Sequence, residues 1–169
     1  MLRSNDDFKV AYIVATDELE PGDLDAPALT SVYNYWDEIR DGLVGPPRQS
    51  FRLEKMPAEI IPAMAVVDFL GPPIDYHYRF FGSRMVDIAG QDLTGKTYFA
   101  DRITGYSFVN AEIFPRMIER RAPICTRTRW VSVKGFEITT TTIRLPLSED
   151  GERITGGVTA NRFESRAGA

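Results

Sequence analysis

The sequence predicts an α+β fold: a five-stranded antiparallel sheet with helices packed on one face. Three observations predict it. One amphipathic helix precedes five short runs with strand character, glycine and proline turns join neighbouring runs as hairpins, and further helices separate the second run from the third. Strands joined by tight turns pair antiparallel, and the intervening helices then form a layer against the sheet.

Composition is typical of a globular protein with one domain. Of 169 residues, 43% are hydrophobic and 26% are charged, and the formal net charge is −4. A chain of this length buries enough apolar surface to fold without disulfides or structural metals. An acidic surface repels phosphate backbones, so we expect no nucleic-acid partner. One Cys and one His exclude an internal disulfide and an all-protein zinc cluster, and we expect no metal site.

Three segments are expected along the chain. Residues 1–28 form an N-terminal extension, in which residues 8–15 are a candidate strand and an acidic, proline-containing linker follows. Residues 29–163 form the domain, and residues 164–169 form a C-terminal tail. The extension packs on the domain, packs on a second subunit, or is a partly disordered arm. No apolar run is long enough for a signal peptide or a membrane span, so we expect a cytoplasmic protein without a membrane partner.

The first helix is predicted over residues 29–42. Its apolar positions recur at intervals of three and four residues, which is the spacing of one helix face. Gly42 marks its end. These apolar positions are Leu29, Val32, Tyr33, Trp36, Ile39 and Leu43.

Two strands are predicted over residues 63–70 and 74–81, and a Gly-Pro-Pro turn joins them. Alternation in the second strand indicates two faces. One face carries Ile74, Tyr76, Tyr78 and Phe80, and the other carries Asp75, His77, Arg79 and Phe81. A short helix over residues 83–89 follows and ends at Gly90.

The remaining elements are one helix and three strands. Residues 106–121 carry a helical stripe that Pro115 kinks or splits. Strands are predicted over residues 124–133, 136–145 and 153–163. Gly156 and Gly157 in the last strand indicate a bulge or a close approach of another backbone segment.

Residues 90–97 match the phosphate-loop pattern G-x-x-x-x-G-K-T in full. That pattern binds phosphate only between a buried strand and a following helix, whose N-terminus holds the anion. Here a helix is predicted before the loop. The segment after the loop is short, because Gly105 follows it closely, and this leaves little room for the helix that phosphate binding needs. We therefore interpret Gly90 and Gly95 as turn residues.

No catalytic residue is predicted. His77, the only histidine, lies on an alternating strand beside Asp75 and Arg79, which favours a surface or interface position. Cys125 opens a strand with no helix start or histidine near it in sequence, which favours a small structural residue.

The aromatic row on the second strand predicts the wall of a cavity. Tyr76, Tyr78 and Phe80 would line it, joined by Trp130 and Thr140 from neighbouring strands, and an ordinary core is the alternative. Arg79 or Arg129 would meet a ligand carboxylate from the rim.

Several motifs, in order and at plausible spacings, resemble a bacterial PAS-domain family known best from alphaproteobacteria. The resemblance covers about residues 29–163. The motifs are Tyr35-Trp36-x-x-x-Arg40, Gly45-Pro46-Pro47-Arg48, Pro57-x-x-Ile60, Val66-Val67-Asp68, Tyr78-Arg79-Phe80-Phe81-Gly82-Ser83, Gly90-Gln91-Asp92-Leu93-Thr94-Gly95, and Leu145-Pro146-Leu147 followed by Gly151.

The resemblance implies a PAS-like five-stranded sheet around a ligand cavity, in a sensory and dimerisation module. No haem or flavin motif transfers, because Cys125 and His77 fall on predicted strands where those cofactor types use helices. The cofactor therefore stays unknown, and a small organic ligand is expected.

The expected function is a non-catalytic PAS-type sensory domain that forms a homodimer and signals to an unidentified protein. The helix at residues 29–42 is the candidate dimer surface, and packing on its own sheet is the alternative. Two other functions stay open: a small cavity enzyme of the isomerase or hydratase type, and a nucleotide-binding switch that uses residues 90–97.

Overall fold

A computed structural model describes residues 9–71, 74–99 and 108–166. Helices α1, α2 and α3 span Pro27–Arg40, Ser83–Ala89 and Phe108–Arg120. Strands β1 to β7 span, in chain order, Val10–Leu19, Met64–Leu70, Asp75–Phe81, Thr97–Tyr98, Ile124–Ser132, Glu137–Leu147 and Gly156–Arg166. Short 3-10 turns occupy Pro21–Asp23, Arg48–Ser50, Leu53–Lys55 and Ile61–Ala63.

The prediction of a five-stranded PAS-like sheet is wrong. Among the described residues, seven strands form one antiparallel sheet in the order β1-β5-β6-β7-β2-β3-β4. The two additional strands lie at its edges. β1 belongs to the predicted extension and pairs with β5, whereas β4 is a two-residue strand that pairs with β3.

Helices also cover both faces of the sheet, where the sequence predicted one. Successive residues of a strand point to opposite faces. In β2, Met64 and Val66 pack in the same core cluster as α1, whereas Ala65 and Val67 pack in the same cluster as α2 and α3. We call these two sides of the sheet the α1 face and the α3 face.

Helix α1 confirms the predicted amphipathic helix to within two residues at either end. Pro27 supplies its first position, where a missing N–H costs nothing, and Asp41 and Gly42 take positive φ values after its end. Leu29, Val32 and Trp36 are buried in the core cluster of the α1 face. The apolar side of α1 therefore packs on its own sheet.

A bulge in β3 changes which aromatic side chains share a face. Tyr78 pairs with Val67, but Phe80 pairs with Val66, so the register shifts at Arg79. The extra residue turns Phe80 toward the α1 face, away from Tyr76 and Tyr78. The predicted single row of aromatic residues is therefore split between the two sides of the sheet.

The last strand meets β2 at a close backbone contact, which is one of the two alternatives that its paired glycines predicted. A Cβ atom on Gly156 would lie 2.5 Å from the carbonyl oxygen of Val67. Because no side chain fits at this distance, position 156 requires glycine.

Asp150 organises the turn between β6 and β7. Its Oδ1 accepts hydrogen bonds from the backbone N–H groups of Arg153 and Glu152, at 2.8 and 2.9 Å. These bonds to the carboxylate hold the pKa of Asp150 far below its ordinary value of 3.8.

We expect this turn to make stability depend on pH in the acid range. The unfolded chain binds a proton at Asp150 near pH 3.8, whereas the folded chain does so only at lower pH. The free energy of unfolding therefore falls as the pH decreases below that value. Urea unfolding at pH 5, 4 and 3 should show a steeper loss in the wild type than in Asp150→Asn. If the unfolding free energy of Asp150→Asn falls with pH as steeply as that of the wild type, while that of Glu152→Gln falls less steeply, the assignment to Asp150 is contradicted.

Candidate ligand-binding site

Tyr76 and Tyr78 are fully buried on the α3 face, within a dense aromatic cluster. Tyr76 lies edge-to-face against Tyr78 and against Phe114 of α3, with ring centroids 5.4 and 5.3 Å apart. Tyr98 of β4 stacks on Tyr76 at 5.1 Å. Such contacts are those of a well-packed core.

Trp130 and Thr140 also meet, but in a different cluster of the α3 face. Trp130 Nε1 donates to Thr140 Oγ1 across 2.9 Å. The indole packs with Ile138 and with Ile88 of α2. The structure therefore brings the predicted site residues together as two pairs on one side of the sheet.

The two predicted rim arginines and Phe80 lie elsewhere. Phe80 packs with the core of the α1 face. Arg129 is exposed, and its neighbour Trp130 points to the α3 face, so Arg129 points to the α1 face. Arg79 is half-exposed and forms an ion pair with Asp68. Their part in ligand binding stays a prediction.

A group of buried polar side chains on the α3 face was missed by the sequence analysis. We call it the polar cluster: Asn110, Thr126, Thr142, Arg144 and Asn161, each no more than 7% exposed. Thr126 pairs with Thr142, and Thr142 pairs with Asn161, so three of its members form a row across β5, β6 and β7.

Arg144 is the charged centre of the polar cluster. Its Nε donates to Asn110 Oδ1 of α3 at 2.9 Å, and its Nη1 donates to Thr126 Oγ1 at 3.0 Å. Only 4% of the residue is exposed. Removing a guanidinium from water is costly unless hydrogen bonds replace its hydration. Its hydrogen bonds place the cluster where the sheet meets α3.

The other half of the polar cluster links the sheet to α2. Thr142 Oγ1 donates to Asn161 Oδ1 at 2.7 Å, and Asn161 Nδ2 donates to the Ala63 carbonyl oxygen at 3.0 Å. The same amide lies 3.6 Å from Met85 Sδ. The polar cluster thus contacts both helices of the α3 face.

An ion-pair network on the α1 face joins three of the motifs that resemble PAS domains. Arg48 Nε lies 3.1 Å from Asp68 Oδ1, and Arg79 pairs with the other oxygen of the same carboxylate. His77 is the cross-strand partner of Asp68 and is half-buried, and its Nδ1 lies 2.9 Å from Thr97 Oγ1. The network joins β2 and β3 to the loop that carries Arg48.

Residues 90–97 lie in the reverse order of a phosphate loop. Helix α2 precedes the loop and strand β4 begins at Thr97, whereas phosphate binding needs a strand first and a helix after. Gly90 and Gly95 have φ values of 79° and 77°, and Asp92 accepts the backbone N–H of Thr94. The interpretation of these glycines as turn residues is confirmed.

Cys125 is buried on the α1 face, as expected of a structural residue. Burial raises the pKa of its thiol to about 11, and the charge of Arg144 offsets this only in part. The reactive thiolate is therefore scarce at neutral pH.

We expect Cys125 to be unreactive in the folded protein. An aromatic disulfide reagent at pH 8 should label it at least about 100-fold more slowly than it labels the same chain in 8 M urea, because both access and thiolate are lacking. The absorbance of the released thiolate measures both rates. Comparable rates in the two conditions would show that the thiol is accessible.

Two searches for relatives give the same result. No family model matches the sequence, and no curated protein matches it. The resemblance to PAS domains therefore stays a prediction. No helix in the described part of the chain is long and apolar enough to cross a lipid bilayer.

Proposed function

We propose that this protein is a non-catalytic, cytoplasmic sensory domain that binds a small organic carboxylate at the polar cluster and signals through contacts with other protein chains. One observation carries the proposal: a buried guanidinium, Arg144, stands among hydroxyl and amide groups in the middle of an otherwise apolar layer. The motif resemblance to PAS domains supports the sensory part.

The chemistry of the polar cluster suits a carboxylate. A guanidinium presents a planar fork of donors that matches the two oxygens of a carboxylate. The hydroxyl groups of Thr126 and Thr142 can turn to donate to such an anion, and Asn161 offers an amide. Within the described part of the chain, every buried side-chain nitrogen and oxygen has a hydrogen-bond partner, so a bound carboxylate would exchange with bonds that the polar cluster already makes.

Through the contact between Arg144 and Asn110, ligand binding can change the surface that the protein presents to other chains. Asn110 belongs to α3, so a ligand that engages Arg144 competes with this helix for the guanidinium. The far end of α3 is held to β1, because Arg116 and Arg120 both pair with Glu18. A ligand that prefers one position of α3 shifts the population toward it.

Binding can be tested on the full chain with defined probes. Acetate, succinate and benzoate at 10 mM, against chloride at equal ionic strength, are expected to raise the melting temperature for at least one carboxylate. Native mass spectrometry of the purified protein checks for a bound acid that already occupies the site. If no carboxylate raises the melting temperature and no bound acid is found, the proposal is overturned.

Matched variants locate the effect. Arg144→Lys keeps the charge but removes the fork, and Thr126→Val removes a hydroxyl at nearly constant volume; each should reduce the carboxylate-dependent shift at least about threefold. Arg153→Lys, on an exposed turn, should leave it unchanged. A shift that survives in both cluster variants would place binding elsewhere.

A further inference from the structure

Strand β1 is an edge strand, and its outer side faces no other strand among the described residues. It is ten residues long, whereas the opposite edge, β4, has only two. An edge strand presents a row of backbone N–H and C=O groups that can pair with another strand. The long edge of the sheet therefore lies at β1.

The first six residues of β1, Val10 to Ala15, have apolar side chains on both faces. Val10, Tyr12, Ile13 and Val14 are each 48–59% exposed, and Val133, just beyond the end of β5, is 53% exposed. Residues 10–16 include no charge and no proline, which are common protections of an edge. Register shifts at Ala11 and Val14 increase the local twist of β1, which is the one edge protection that this segment carries.

Charge along the strand fits a second copy of the chain. Lys9 precedes β1, and Asp17 lies near its other end. An antiparallel contact between two β1 strands, centred on Ile13, brings Lys9 of each copy opposite Asp17 of the other. A parallel contact would bring like charges together, so the sequence favours the antiparallel arrangement.

We infer that two copies of this chain form a dimer through antiparallel contact of their β1 edges. A two-fold contact of this kind uses the same edge in both copies and so covers both at once. The apolar side of α1, the surface that the sequence suggested for a dimer, is covered by its own sheet. The inference does not depend on the carboxylate site.

A charge exchange tests the arrangement. Sedimentation velocity of the full chain from 1 to 200 µM should show a monomer–dimer equilibrium. Lys9→Asp and Asp17→Lys each create two like-charge contacts, and each should raise the dimer dissociation constant about tenfold. Lys9→Asp combined with Asp17→Lys restores opposite charges and should return the constant to near the wild-type value.

Two further variants complete the test. Ile13→Lys, at a half-exposed position, should give a folded monomer, with thermal unfolding as the check on folding. Lys55→Asp, a charge change in another exposed segment, should leave the equilibrium unchanged. A wild-type monomer at 200 µM, a dimer that persists in Ile13→Lys, or single charge variants without effect would overturn the inference.

Discussion

Replacing Trp36 with alanine is expected to lower the free energy of unfolding by about 3–5 kcal/mol, the cost of emptying a large buried aromatic site. Only 1% of Trp36 is exposed. Its indole Nε1 donates to the Pro146 carbonyl oxygen of β6 at 2.8 Å, so the side chain fixes α1 on the sheet by packing and by one hydrogen bond. Urea unfolding followed by far-ultraviolet circular dichroism measures the change.

Two companions separate the contributions to this effect. Trp36→Phe keeps much of the ring but leaves the Pro146 carbonyl without its donor, and should cost about 1–3 kcal/mol. Glu38→Ala, at an exposed position of the same helix, should stay within about 0.5 kcal/mol of the wild type. Equal stability of Trp36→Ala and Glu38→Ala would show that α1 contributes little to the core.

Local patterns were sufficient for most of the secondary structure. The three- and four-residue spacing that includes Val32 and Trp36 located α1, because a helix against a sheet must bury one stripe. Runs of β-branched residues between glycine turns located β5, β6 and β7 within a few residues. These signals act over a few neighbouring residues, so the sequence alone carries them.

Pairing over long distances was not predictable in the same way. β1 pairs with β5, and Leu19 lies opposite Cys125, more than a hundred positions away in the chain. The residue pattern of neither strand identifies the other as its pairing partner. The bulge at Arg79 had a similar effect, because one inserted residue reverses the face of Phe80 without leaving any mark in an alternating pattern.

The polar cluster shows why the candidate site was only partly predicted. Ile143, Arg144 and Leu145 alternate as a strand should, and a charged residue between two apolar ones is normally placed on a solvated face. The face is instead covered by α3, which places Asn110 beside Arg144. Since both faces of this sheet carry helices, the usual link between charge and solvent does not hold here.

Replacing Gly45 with alanine is expected to lower the free energy of unfolding by about 3 kcal/mol, at the upper end of the usual cost of overpacking. A Cβ atom there would lie 2.2 Å from the Pro146 carbonyl oxygen and 3.2 Å from the Leu147 Cα, and both are backbone atoms of β6 that cannot rotate away. Because Trp36 donates to the same carbonyl, the loop must move off the strand or the helix must lose its hydrogen bond.

Gly22→Ala is the matched control, since a Cβ on Gly22 meets nothing within 4 Å, and it should change stability by less than about 0.5 kcal/mol. Urea unfolding of both variants decides the matter: equal stabilities would mean that the loop can leave β6 at no cost, whereas a large difference shows that contact with this carbonyl holds α1 and its following loop on the sheet.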